Sequence, residues 1–176
     1  MKTGEKGFTL NEVLVSLLIT ALIAASALMV IYQTVRGNEH NTDYMTSVGQ
    51  AANAGFRISR DVMMAHSVST DNLTPPDFIV LNWTVWDESD EPVYHSVKYS
   101  FEDVINNVGT LFRYHWSSDG SNYKTMVARN ICYDSTNTTY TSRASYEKPL
   151  VALTITSFCD DIMESKDYMI MNRSDY

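Results

Sequence analysis

A single carboxylate, Glu12, stands at the head of a run from Val13 to Tyr32 that contains no charged residue. An ionised group beside a membrane-length apolar segment is costly unless solvated or partnered. Glu12 is therefore either a solvated helix N-terminal acid at headgroup level or a group with a dedicated partner. Two cysteines, Cys132 and Cys159, lie too far apart for a CxxC redox or zinc motif. In an exported domain they are expected to form one disulfide, whose loop closure stabilises by about 3–4 kcal/mol; the alternative is two buried thiols. The histidines His40, His66, His95 and His115 are scattered, although His95 and His115 can face each other across a hairpin. A structural role is favoured over metal ligation for that pair. Two acidic groups, Asp87-Glu88-Ser89-Asp90-Glu91 and Asp160, Asp161, Glu164 and Asp167, offer the oxygen ligands calcium takes. Neither follows the D-x-[DN]-x-[DN]-G spacing, so both read as solvated acidic loops. No G-x-S-x-G, phosphate-loop or dinucleotide motif occurs. The expectation is no catalytic residue, no metal, no cofactor and no enzyme.

The elements that position these residues follow from the patterning. Twenty helical residues rise about 30 Å, the thickness of a bilayer's hydrocarbon core. With such a segment in a chain of 176 residues, an ordinary soluble cytosolic protein is not expected. Lys2, Glu5, Lys6 and Glu12 precede the run, so the chain's 13 bases and 21 acids leave 11 and 19 after it, a charge of -8. An acidic domain of that kind is not expected to bind nucleic acid or anionic lipid directly.

The N-terminus also departs from an ordinary secretory signal. A basic start is present in Lys2 and Lys6, but no clear A-x-A site closes the apolar run. Instead, Lys6-Gly7-Phe8-Thr9-Leu10-Asn11-Glu12-Val13-Leu14-Val15-Ser16 resembles the type III signal of type IV pilins and type II secretion pseudopilins. Asn11, where an apolar residue is usual, is a mild departure. The resemblance implies that a prepilin peptidase cuts between Gly7 and Phe8 on the cytoplasmic side, and that the new amino terminus on Phe8 is methylated. It also implies that Glu12 is the family's glutamate, pairing in a filament with the Phe8 amine of a neighbouring subunit. In an apolar filament core such a pair would fix register more than it would add stability.

After the apolar run, Val48, Ala51, Gly55, Ile58, Val62 and Ala65 recur at spacings of three and four, an amphipathic stripe. The reading is one helix from about Thr9 to about His66, with a bend or melted turn at Gly37-Asn38-Glu39-His40-Asn41. Ile58-Ser59-Arg60-Asp61-Val62-Met63-Met64-Ala65 weakly resembles the helix end of PilW-like minor pilins and J-type pseudopilins. Arg60 and Asp61 read as a solvated or helix-capping pair.

Thr74-Pro75-Pro76-Asp77 breaks the helical pattern. Six short strands are predicted beyond it: Phe78 to Trp86, His95 to Phe101, Thr110 to Trp116, Lys124 to Tyr133, Leu150 to Phe158 and Tyr168 to Asn172. The polar stretch Asp134 to Pro149 reads as an exposed loop. The expected fold is α+β, a long N-terminal helix with an apolar first half, packed on an antiparallel β-sheet domain. The expected organisation is a cleaved leader at 1–7, an apolar transmembrane and filament-core helix at 8–36, its amphipathic continuation at 37–68, and a globular β domain at 69–176.

The function this implies is that of a structural subunit, a minor pilin or pseudopilin, of a type IV pilus or related secretion filament. Its partners would be other pilin subunits, prepilin peptidase, the inner-membrane assembly platform and, before assembly, the membrane. It would then reside in an extracellular or periplasmic filament. The alternative is a single-span membrane-anchored extracytoplasmic binding or sensor domain.

Overall fold

The computed structural model describes residues 9–71, 73–136, 139 and 141–172. One helix, α1, spans Leu10–Met64. No proline interrupts it, and its apolar start carries Leu, Ile, Val and Ala without a break. Residues 37–41, expected to bend or melt, are helical throughout. The isolated Gly37 costs only about 1 kcal/mol relative to alanine, too little to interrupt a ladder continuous on both sides. Thr42 Oγ1 also donates to the Asn38 carbonyl at 2.8 Å within this polar stretch. The helix ends where the Ala65 N–H is shared between the carbonyls of Asp61 and Val62, both at 3.1 Å. The next amide, His66, donates to the Asn82 carbonyl at 2.8 Å and delivers the chain to the sheet. The chain divides into two compact units, Met1–Thr42 and Asp43–Tyr176.

The second unit carries eight strands: β1 Ser67–Ser69, β2 Asp77–Trp86, β3 Pro92–Ile105, β4 Val108–Ser117, β5 Tyr123–Cys132, β6 Arg143–Glu147, β7 Leu150–Cys159 and β8 Ile162–Met171. They form one sheet in the order β1-β2-β3-β4-β5-β7-β6, with β8 also paired to β7. Every ladder is antiparallel. The β3–β4 turn uses Asn106 and Asn107, both at positive φ (51° and 64°). Two positive-φ residues make the tight hairpin turn whose twist matches the strands, and asparagine tolerates that conformation.

The α+β expectation holds. The helix from Asp43 onward lays a stripe of Ala51, Ala54, Ile58 and Val62 against the sheet, each fully buried. Facing it are Ile79 and Leu81 of β2, Val97, Tyr99 and Phe101 of β3, Leu111 of β4, Ile131 of β5, and Val151, Leu153 and Ile155 of β7. The small residues set a close approach. A Cβ built on Gly55 would lie 2.1 Å from the Tyr168 ring of β8. Polar ties supplement the apolar packing. Ser157 Oγ donates to the Ser47 carbonyl at 2.6 Å, and Gln50 Oε1 accepts the Arg129 amide at 2.8 Å.

The expected Cys132–Cys159 disulfide is not formed, and both are free thiols. The pairing of Ile131 with Ser157 sets Cys159 three residues out of step with Cys132. Three residues of strand span about 10 Å, beyond the Cα separation a disulfide bridges.

Candidate functional site

The N-terminal segment is built around Thr9 and Glu12. Glu12 Oε2 accepts both the Thr9 amide and the Thr9 hydroxyl at 2.9 Å. In return the Glu12 amide approaches Thr9 Oγ1 at 3.4 Å and the Thr9 carbonyl at 3.1 Å. This is a reciprocal capping box, in which a threonine and the glutamate three residues on satisfy each other's orphan backbone donors. It fixes the carboxylate at the start of the helix, where the dipole favours a negative charge. Gly7 and Phe8, the expected cleavage and methylation residues, lie outside the described residues.

The polar interruptions of the apolar run are neutralised locally. Ser16 Oγ donates to the Val13 carbonyl, Thr20 Oγ1 to Ser16, Ser26 Oγ to Leu22 and Thr34 Oγ1 to Val30, at 2.8–2.9 Å. Each hydroxyl proton is thus used within the helix, as a hydrocarbon surrounding requires. Every residue from Thr9 to Thr42 is exposed. By length and composition the helix is apolar enough to cross a membrane, and none of its most apolar window is buried among the described residues.

Residues 2–28 match the prokaryotic N-terminal methylation motif. That match supports a type IV pilin-like or pseudopilin precursor. It spans the cap, Glu12 and most of the apolar run, so the segment just described is the methylation motif followed by its membrane-length helix. The apolar helix and the motif fit a membrane-anchored precursor. No curated protein and no solved structure matches the chain.

The domain contains a polar centre built on Asp61. Asp61, expected to be solvated, is 2% exposed, and Arg113 of β4 is 3% exposed. Asp61 Oδ2 accepts Arg113 Nε at 2.5 Å and the Tyr99 hydroxyl at 2.7 Å. Arg113 Nη1 donates onward to the Tyr123 hydroxyl at 3.1 Å. Burial, then the Asp61 carboxylate, pushes the Tyr99 phenol well above its ordinary value. Burial works against the Arg113 charge, but the hydrogen bond and charge of Asp61 outweigh it and raise the guanidinium further. The signal was present in the spacing. Asp61 lies three after Ile58 and seven after Ala54, on the apolar face, while Arg60 points away and is exposed.

The histidine pair does meet. His95 Nδ1 and His115 Nε2 are 3.1 Å apart, with Trp83 stacked on His95 and Tyr123 tilted against His115. Burial, then the positive Arg113 and the neighbouring His95, lowers the His115 pKa from its ordinary value. This is an aromatic plug at one end of the core, next to the Asp61–Arg113 pair.

The acidic groups separate into different roles. Asp87 Oδ1 accepts the amides of Ser89 and Glu91 at 2.8 and 2.9 Å, closing its own turn. Glu164 and Asp167 sit an odd number of residues apart on β8 and so face opposite sides of the sheet. Asp167 instead accepts the Thr154 hydroxyl at 2.7 Å. Asp160 converges with Cys159 and with Asp43 of the helix, their ligand-type atoms lying within 4.8 Å. Burial, then the two carboxylates, raises the Cys159 thiol, and burial alone raises Cys132. Neither is therefore an activated thiolate.

Proposed function

We propose that the chain is a minor subunit, a minor pilin or pseudopilin, of a type IV pilus or related secretion filament. The observation that carries this reading is the methylation motif at residues 2–28, continued by an apolar helix whose most apolar window is unburied among the described residues. A prepilin peptidase cuts between Gly7 and Phe8, removing Lys2 and Lys6 and leaving an amine on Phe8 that is then methylated. The helix serves twice. It anchors the precursor in the membrane, and after extraction by the inner-membrane assembly platform it packs among other pilin subunits in an extracellular or periplasmic filament. Glu12 pairs with the Phe8 amine of a neighbour. In the single chain the carboxylate is held by Thr9, so the cap presents it at the helix start and exchanges Thr9 for a cation when a subunit docks. The minor role draws support from the Ile58–Ala65 resemblance and from an aromatic-rich eight-stranded domain.

Mass spectrometry of the chain recovered from cells with its secretion or pilus machinery tests the reading. A mature product beginning at N-methylated Phe8 is expected, and Gly7→Leu should abolish the cut. A retained Met1 would instead favour the membrane-anchored sensor. Glu12→Ala should leave the domain's unfolding curve unchanged while sharply reducing recovery in sheared filaments.

A further inference from the structure

The sheet face opposite the helix holds a cleft of about 600 Å³ over β1 to β4. Its position follows from strand alternation. Leu81, Val97 and Arg113 face the helix, so Asn82, Ser96 and Trp116 face the other way. Register aligns Ser67, Asn82, Ser96 and Trp116 in one row across four strands. Thr84 and Tyr94 pair in the next row, where the Tyr94 amide donates to Ser118 Oγ at 3.0 Å. The floor is thus made of short hydroxyl and amide side chains, and the walls are two aromatic rings. Tyr94 is 61% exposed and Trp116 is 40% exposed.

We propose that this cleft binds an uncharged saccharide. Three observations select that class. First, among the described residues no Asp, Glu, Lys or Arg lines the cleft, although the chain carries 34 charged side chains counted as 13 bases and 21 acids. Lys98, which flanks the Trp116 wall, is already paired with Asp77 at 3.2 Å, so a charged ligand is disfavoured. Second, the backbone beneath the cleft is spent in the β1–β2, β2–β3 and β3–β4 ladders, and on the β1 side of β2 the Thr84 amide is taken by His66 Nδ1. A strand-adding peptide, which needs free backbone donors at an edge, is therefore disfavoured there, and recognition falls to side chains. Third, the lining is amphipathic in the way a sugar ring is. A pyranose has an apolar C–H face and a rim of hydroxyls, which match an aromatic ring bordered by Ser, Thr and Asn groups that both donate and accept.

The site is also set in advance. Trp116 stacks on Tyr114 with centroids 5.8 Å apart and planes 11° apart, and the Lys98 ammonium sits 5.7 Å from the Trp116 ring. Little side-chain freedom is then lost when a ligand arrives. At the rim, His66 Nδ1 accepts the Thr84 amide at 3.2 Å, so the neutral ring carries its proton on Nε2 as a donor. The cleft volume is of the size that small-molecule sites have, roughly 300–1,000 Å³. Saccharide binding stands independently of the filament role.

The test uses the full chain in lipid nanodiscs, which avoids glycoside detergents, on an array of neutral and sialylated or sulfated glycans. Retention confined to neutral glycans is expected. Titration of the strongest neutral glycan should show at least a tenfold loss of affinity for Trp116→Ala and for Ser96→Leu, with unchanged far-UV circular dichroism. If Trp116→Ala fails to fold, Asn82→Ala is held to a threefold loss or more. Absence of any retained neutral glycan, retention of acidic glycans only, or full affinity in the folded variants would overturn the proposal.

Discussion

The two parts of α1 solve opposite problems with the same backbone geometry. From Leu10 to Thr42 every residue is exposed, the surface is apolar almost all round as far as Tyr32 and polar beyond it, and each serine and threonine hydroxyl bonds back onto the helix. From Asp43 to Met64 only one face is apolar, it is buried, and its one charged member, Asp61, is matched from across the sheet. The first part is finished as a surface for lipid or for other helices and makes no demand on the domain. The second part has no meaning without the domain, because its buried carboxylate depends on Arg113 and Tyr99. The difference shows that one helix can hold both an independently satisfied segment and a segment whose polar groups are completed only by tertiary contacts.

Substitutions can break this contrast. The largest effect belongs to the buried pair: Arg113→Met strands the Asp61 carboxylate and should cost the domain about 3–5 kcal/mol, read from urea unfolding of the full chain in micelles. Adding Asp61→Leu to that variant should recover most of the loss, since an apolar pair of similar size is tolerated in place of a buried ion pair.

Gly55→Leu comes next, because the new side chain enters the space of the Tyr168 ring. A loss of about 1–3 kcal/mol is expected from overpacking, partly relieved by Tyr168→Ala; a thermal melt in micelles checks both.

The pH dependence is smaller. The folded His115 pKa lies below its ordinary 6.5, so below that pH the unfolded chain binds more protons than the native one. Stability should therefore fall as the pH drops from about 6.5 toward the lowered folded value, and His115→Gln should flatten urea midpoints across that window. The smallest effect is expected in the first part of the helix. Thr20→Val and Thr34→Val remove hydroxyls bonded only to their own helix. They should leave both the domain's urea midpoint and membrane insertion unchanged; a destabilised domain would show that the two parts are not separable.

Much of the fold was legible because its signals are local. Four of the six predicted strands match β2, β4, β5 and β7 closely, and His95 to Phe101 is the middle half of β3, since β-branched and aromatic runs bounded by turns mark buried central strands. The sixth, at Tyr168, caught only the end of β8. The polar segments escaped. β6, Arg143–Glu147, lies inside the stretch read as an exposed loop, and the first half of β8 reads Met163-Glu164-Ser165-Lys166-Asp167. Both pair with β7 at the sheet's margin, where few side chains are buried and register comes from the neighbour rather than from composition. β1 is only three residues long and offers no pattern to read.

The candidate site divided in the same way. The position of Glu12 beside the apolar run is legible, and the cap that holds it is written in Thr9-Leu10-Asn11-Glu12. In one dimension Arg60 and Asp61 read as a solvated or helix-capping pair, whereas the partner of Asp61 lies 52 residues away on β4. Cysteine count suggested a bridge that the strand register does not permit.

The sequence by itself determined the methylation motif, the membrane-length helix and the position of Glu12, because each depends on neighbours within about one helical turn or on an unbroken apolar run. Only the tertiary structure decided the partner of Asp61, the separation of Cys132 from Cys159 and the cleft walled by Tyr94 and Trp116. Those depend on which strand lies beside which and in what register, and a one-residue slip in pairing would move every one of them to another face or another partner.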